Sequence, residues 1–156
     1  MSAIVECPGV DVAVQGLVLP YMNEPGAAGE QVAGWQQFSV ELACREEEWI
    51  QIRDRHPGLP LVVAGDLNQS LDGSNWYGSA PTRKALWAAL AAVGLECLTR
   101  QDVVAARKLK DRHLVDHICA TTDLSLDGDI RCWERDSPLG IRMSDHPCVA
   151  LSLMSR

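Results

Sequence analysis

Three short motifs place a carboxylate beside an apolar run: Gly65-Asp66-Leu67-Asn68, Val115-Asp116-His117 and Ser144-Asp145-His146. The first follows Leu61-Val62-Val63-Ala64. The second sits within Leu114 to Ala120, and the third precedes Val149-Ala150-Leu151. Strand ends are where an α/β protein gathers polar side chains into one site. Three Asp, two His and one Asn brought together there suit metal-assisted attack of water on a phosphate ester.

Each motif also has a plainer reading. Asp-x-Asn favours turns, so Asp66 and Asn68 alone could simply shape one. In a strand-end turn, residues two apart also project to the same side, where a carboxylate and a carboxamide could hold water and a phosphoryl oxygen. Asp116 lies inside Leu114-Val115-Asp116-His117-Ile118-Cys119-Ala120 rather than in a turn. A charge there is costly unless paired, so Asp116 implies a partner, and histidine is a natural one. Asp116 and His117 face opposite sides if the run is a strand. His113 and His117 have the i, i+4 spacing of a helical metal site, but the β-branched context favours a strand. His146 precedes Pro147, which holds it extended and helps aim its ring. Ser144 lacks the G-x-S-x-G elbow of a serine hydrolase.

The elements that must position these groups follow from periodicity and breakers. Ala3-Ile4-Val5 and Val10 to Pro20 read as two strands joined at Pro8-Gly9. Tyr21 to Gly29 is a loop. Glu30 to His56 predicts a helix with Trp35, Phe38, Leu42, Trp49 and Ile52 on one face, ended by Pro57-Gly58. Leu61 to Ala64 is a buried strand, and Gly65 lets the backbone turn at its end. A polar loop runs from Leu67 to Ala80. Pro81 opens a second helix, with Leu86, Leu90 and Val93 inward and Gly94 as its stop. Leu95 to Thr99, His113 to Thr121, Leu124 to Trp133 and Pro147 to Leu153 complete about seven strands, with Asp127-Gly128 at a turn or bend. The fold expected is an α/β sandwich of two mixed or mostly antiparallel sheets flanked by helices, over a single domain spanning residues 1–156.

Composition is consistent with that. The chain has 156 residues, 47% hydrophobic and 22% charged, with a net charge of −7. Such a balance argues against a broad electrostatic footprint for nucleic acid. A local one remains open in Arg107-Lys108-Leu109-Lys110-Asp111-Arg112-His113, readable as a solvated segment or as a loop that touches substrate phosphates. Trp76 and Tyr77 could stack on a base or sugar, or pack within their loop. The six cysteines form no C-x-x-C pair, and Cys97, Cys119 and Cys148 read as small buried residues. No signal peptide or membrane span is evident, which makes a reducing cytoplasm the expected location.

Gly-Asp-Leu-Asn-Gln at 65–69, Val-Asp-His-Ile at 115–118 and Ser-Asp-His-Pro at 144–147 resemble the strand-end motifs of the endonuclease/exonuclease/phosphatase family. That family includes abasic-site endonucleases, deoxyribonuclease-I-like nucleases, inositol phosphatases and sphingomyelinases. Leu19-Pro20-Tyr21-Met22-Asn23 resembles its segment carrying a phosphate-contacting Tyr and a nearby Asn. The resemblance covers roughly residues 10–154 and implies a role for each residue. Asp66 orients or deprotonates the attacking water, and Asn68 holds that water or a phosphate oxygen. Asp116 aligns His146, which contacts the scissile phosphate, and Tyr21 orients it. Asn23 contacts substrate. Asp145 helps bind Mg²⁺ or Mn²⁺. His117 points away.

The family's opening Asn and its Gln-Glu pair, whose Glu is a principal metal ligand, are not found. Glu6, in Val5-Glu6-Cys7-Pro8-Gly9, is the sole early acid near a strand and looks like a hairpin residue. The resemblance is therefore to the C-terminal part of the family domain, and the chain is expected to be truncated at its N-terminus. Uncovered sheet edges would then favour a partner or self-association. The function implied is metal-dependent hydrolysis of a phosphate ester, either nucleic acid or a small phosphorylated molecule. The alternatives are a non-catalytic phosphate-binding or interaction module and an inactive fragment.

Overall fold

The computed structural model describes residues 2–26 and 28–156; Met1 and Ala27, the latter within the expected 21–29 loop, lie outside them. Among the described residues there are seven strands and two helices. In chain order they are β1 (Ser2–Val5), β2 (Val12–Val18), α1 (Gln36–Arg55), β3 (Leu61–Asp66), α2 (Ala80–Ala92), β4 (Leu95–Cys97), β5 (Asp116–Thr121), β6 (Leu124–Trp133) and β7 (Cys148–Ser155). Five strands form one mixed sheet in the order β1-β2-β3-β5-β4, and β6 and β7 form a second, antiparallel sheet. The fold is the expected α/β arrangement of mixed sheets with two helices.

Side-chain alternation divides the five-stranded sheet into two packed faces. Ala13, Leu61, Val63 and Cys119 face the helices and join Phe38, Leu42, Trp49, Leu86 and Leu90 in the main core. Val12, Val62 and Ala120 face the other way, against Leu124 and Leu153 of the small sheet. A third cluster, Val103, Leu109, Leu114 and Ile130, packs the 101–115 segment onto β6 and β7.

Helix α1 begins at Gln36, six residues later than Glu30. Gly34 takes a left-handed φ of +64°, which stops a right-handed helix from running through it. Trp49 is fully buried, and its indole N–H donates to Gln15 Oε1 on β2. Gln15 Nε2 in turn donates to Glu48 Oε2 at 2.9 Å. This polar link fixes α1 over the sheet and satisfies a buried glutamine. Helix α2 starts as Pro81 predicts, with a capping box in which Ser79 and Thr82 satisfy each other's backbone N–H groups.

Asp127 and Gly128 lie within β6 rather than in a turn. The β6/β7 register shifts between Asp127 and Arg131, and Gly128 has φ +83°, as in a β-bulge. Cys148 is exposed, contrary to the buried position its apolar setting predicts, because it opens β7 on the side turned away from the core. Cys97 and Cys119 are buried as expected.

Candidate active site

Three strand ends meet at one edge of the five-stranded sheet. Leu19 N–H bonds Asp66 C=O at 2.8 Å, and Leu67 N–H bonds Val115 C=O at 2.9 Å. Gly65 makes the first approach feasible. Its φ is +142°, and an added Cβ would lie 1.9 Å from the Leu17 carbonyl oxygen. Asn68 adopts φ +49° directly after β3 and is nearly buried. Its backbone N–H donates to Asp66 Oδ1 at 2.8 Å, and its Nδ2 donates to Leu19 C=O at 2.7 Å and to Asp66 Oδ2 at 3.1 Å. The Asp-x-Asn turn therefore fixes the carboxylate and ties β2 to β3.

Asp66 and Asp116 are directly opposite across the β3/β5 ladder, so their side chains share a face. The neighbouring Leu67–Val115 pair is hydrogen-bonded, which makes Asp66–Asp116 the narrower, non-bonded kind of pairing. Like charges opposite each other are unfavourable. The counterweight is His146, delivered by the segment before β7, whose Nδ1–H donates to Asp116 Oδ2 at 2.7 Å. One carboxylate oxygen each of Asp66 and Asp116 and one ring nitrogen of His146 lie within 4.8 Å of one another. His146 N–H also bonds Ser144 Oγ at 3.1 Å, which shapes the turn ahead of Pro147.

The electrostatics follow from this crowding. Burial raises the Asp66 pKa above its ordinary 3.8; the Asn68 N–H opposes this, the Asp116 charge adds to it, and the two histidines offset part of it. Burial alone would lower the His146 pKa, but the hydrogen bond and charge of Asp116, joined by Asp66 and Asp145, leave it raised above 6.5. The site thus favours one shared proton, or a cation, between two acids.

The other expected site residues fall into distinct places. Tyr21 is 49% exposed just beyond the end of β2. Asn23 takes φ +64°, and its Oδ1 accepts from Gly34 N–H at 2.7 Å, so the carboxamide pins the 23–34 loop. Asp145 is exposed next to His146, and the cluster of Asp66, Asp116 and His146 does not include it. His117 points to the helix side, as alternation predicts. Glu6 follows β1 beyond the Val5–Val12 pairing, at the opposite end of the sheet from Leu19 and Asp66, so it is not a ligand of this site.

Recesses open beside the cluster. One, of about 350 Å³, is lined by Ala64, Gly65, Asp116, Ile118, Ser144 and His146. A larger groove of about 880 Å³ runs from Ser144 and His146 past Trp133 and Met143 to Lys108, Lys110 and Arg135. Lys108 is committed to Asp129 at 2.5 Å and Ile130 C=O at 2.6 Å. The basic 107–113 segment thus reaches the neighbourhood of the site. Arg135 lies far along the chain, and only the β6 strand brings it there. Trp76 is partly exposed with Arg112 over its ring, while Tyr77 packs edge-on against Trp35.

A second group of similar composition, Asp72, Asp102 and His113, ties three loop segments together, with His113 Nδ1 2.6 Å from Asp72 Oδ2. Nothing in its sequence marked it, because the two acids and the imidazole are scattered through polar loops.

No known family's sequence pattern matches the chain, and no curated protein matches it. Solved structures do. An endonuclease/exonuclease/phosphatase from Beutenbergia cavernae is 20% identical, with a TM-score of 0.55, over 99% of this chain and 38% of that one. The human Nocturnin catalytic domain, with bound sulfate anion, is 18% identical, with a TM-score of 0.56, over 98% of this chain and 52% of that one. The chain has an endonuclease/exonuclease/phosphatase-like fold and spans about half or less of the length of these two neighbours. No helix among the described residues is long and apolar enough to cross a membrane.

Proposed function

We propose that this chain, built on an endonuclease/exonuclease/phosphatase-like fold, hydrolyses phosphate esters by attack of water on phosphorus. The observation that carries the reading is the convergence of Asp66, Asp116 and His146 at adjoining strand ends. The Nocturnin structure holds a bound sulfate anion, which is in keeping with a tetrahedral phosphoryl group as the ligand proposed for this chain.

The donor set fits a hard divalent cation such as Mg²⁺ or Mn²⁺. Two opposed carboxylates supply oxygen atoms, and burial, with the Asp116 charge adding to it, makes the lone Asp66 anion costly, as its raised pKa reflects. Asp66 and Asp116 would hold the ion, with Asp145 joining through water. When bound, it supplies charge neutralisation at the phosphoryl oxygens.

The chain's own residues do the rest. Asp66, fixed by two hydrogen bonds from Asn68, orients the attacking water and takes its proton. Asn68 keeps its side chain on Leu19 and Asp66, so its role is to set that carboxylate, with direct contact to water or phosphate left to its remaining valence. Asp116 fixes the His146 ring with Nδ1 inward, which leaves Nε2–H to donate to a phosphate oxygen and stabilise its developing charge. Tyr21, exposed at the end of β2, orients the phosphate, and Asn23 contacts substrate only through the carboxamide nitrogen that Gly34 does not use. Substrates are nucleic acid or small phosphorylated molecules. The six cysteines are free, as suits a cytoplasmic protein.

The test is hydrolysis of bis(p-nitrophenyl) phosphate with Mg²⁺ or Mn²⁺, comparing wild type with His146→Ala. Loss of turnover in the variant is expected. Equal rates for the two proteins at high metal would remove the enzyme assignment. Sulfate or phosphate binding without turnover would replace it with a phosphate-binding module.

A further inference from the structure

The proposed chemistry leaves a buried nucleophilic cluster unused on the other face of β5. Cys97 and Cys119 stand directly opposite each other across the β4/β5 ladder. Both lie in the main core, 2% and 0% exposed. One step along the ladder, Leu98 N–H bonds Ile118 C=O at 2.9 Å. Antiparallel pairings alternate, so the cysteines occupy a non-hydrogen-bonded pair, whose Cα atoms lie roughly 4.5 Å apart. That is inside the about 4.4–6.8 Å range that a disulfide spans.

A proton acceptor sits beside them. His117, two residues before Cys119 and on the same face, has Nδ1 3.6 Å from Cys97 Sγ and 3.0 Å from Thr99 Oγ1. Its Nε2 lies 3.0 Å from Gln69 C=O, an acceptor only, so Nε2 carries a proton and Nδ1 turns its lone pair toward Thr99 and Cys97. The hydrogen bond from Cys119, reinforced by His117, holds the Cys97 thiol well below the usual thiol range, while Cys119 is held above it. The two sulfurs therefore differ as an attacking and a resolving thiol differ. Access comes through β4, a strand of three residues at the outer edge of the sheet, which opens more readily than the strands inside. Among the described residues, Cys97, His117 and Cys119 do not converge as a metal-binding group.

We propose that Cys97 and Cys119 are a peroxide-responsive dithiol that closes to a cross-strand disulfide, pinning β4 to the strand that carries Asp116. The Cys97 thiolate attacks one oxygen of hydrogen peroxide. The O–O bond breaks, and the departing hydroxide takes up the proton that the Cys97 thiol gave up, to leave as water. Cys119 then attacks the Cys97 sulfenic sulfur, the S–O bond breaks, and hydroxide leaves with the Cys119 proton as a second water. Two thiols give up two electrons, and one peroxide becomes two waters.

The experiment treats reduced, folded protein with stoichiometric hydrogen peroxide, alkylates it in denaturant and maps tryptic peptides by mass spectrometry. Residues 85–100 and 113–131 each carry one cysteine of the pair. The expected product is these two peptides joined, released by dithiothreitol and absent in Cys97→Ser, with Cys119 in that variant oxidised at least tenfold more slowly. A second protein, with Cys7, Cys44, Cys132 and Cys148 changed to Ser, should lose both remaining thiols to peroxide and unfold at a higher denaturant midpoint. Recovery of both peptides fully alkylated, or Cys119 joined instead to an exposed cysteine, overturns the proposal. The wild-type peptide map decides it even where the four-fold variant does not fold.

Discussion

His146 Nδ1 donates to Asp116 Oδ2 across 2.7 Å, joining residues 30 apart in sequence. The bond does two things: it fixes the imidazole's orientation, and it raises the pKa of that ring. Asp116→Asn should therefore lower the His146 titration midpoint, read from its ring-proton NMR shifts in metal-free protein. Turnover should fall by roughly 10²–10⁴-fold, the scale of a misplaced acid–base group. The sign on stability follows from the raised pKa. The folded state holds this proton more tightly than the unfolded chain, so the stabilisation is complete below the ordinary value of 6.5 and disappears as pH rises through the raised one. Wild type should lose stability across that window relative to Asp116→Asn. Equal slopes for the two proteins would contradict the coupling.

The sequence made this pair readable because a charge inside Leu114 to Ala120 demands a partner, whatever the fold. The strand ends at Asp66 and Asp116 were legible for similar reasons, as were the helix-opening Pro81 and the alternation that turns His117 away. Other features depend on distance. Lys110 and Arg135 line one groove because β6 returns past the 101–115 segment, which local pattern does not encode. Asn23 and Gly34 were hard to place for a different reason. Both adopt left-handed backbone, so a stretch with acceptable helical spacing starts its helix only at Gln36. The Asn23 carboxamide closes that loop, a role its sequence neighbours do not distinguish from substrate contact.

Asp66 and Asp116 face each other on adjacent strands, and that opposition sets up a trade between stability and function. Asp66→Asn should stabilise the metal-free protein, by up to about 1 kcal/mol for relief of a like-charge cross-strand pair. It should also remove the response to a divalent cation. Wild type should gain about 2.7 kcal/mol at a Mn²⁺ concentration 100 times its dissociation constant, by simple linkage. Thermal melts of both proteins with EDTA or with increasing Mn²⁺ measure both effects. A variant that gains as much from Mn²⁺ as wild type would show that Asp66 is not a ligand.

Gly65 offers a test of how the strand ends are brought together. A methyl group there would meet the Leu17 carbonyl oxygen at 1.9 Å, and φ +142° is a region that side chains avoid. Gly65→Ala should cost at least about 1–3 kcal/mol in urea unfolding, the cost of a strained residue, with further loss from the β2–β3 separation it forces. Activity should fall more than stability alone explains, since Asp66 moves with the backbone. Gly9→Ala is the control: it also has positive φ but open space around its Cβ, so it should cost only the strain.

The face of the five-stranded sheet beyond the reach of β6 and β7 supplies the last prediction. Val5 pairs with Val12, which places Val5 on that face, and Val18 lies on it by alternation along β2. Val18 is 69% exposed and Val5 42%. Beside them, β1 ends the sheet and offers an unpaired strand edge among the described residues. Exposed valines next to a free edge favour pairing with another chain. Sedimentation velocity at tens of micromolar should therefore show species heavier than the 17.0 kDa chain, increasing with concentration. Val5→Lys with Val18→Lys should return the protein to a single monomeric boundary, because neither side chain contributes to the buried core and each charge would have to be desolvated in the contact. A wild-type protein that sediments as a monomer at every concentration would leave that face without a role in association.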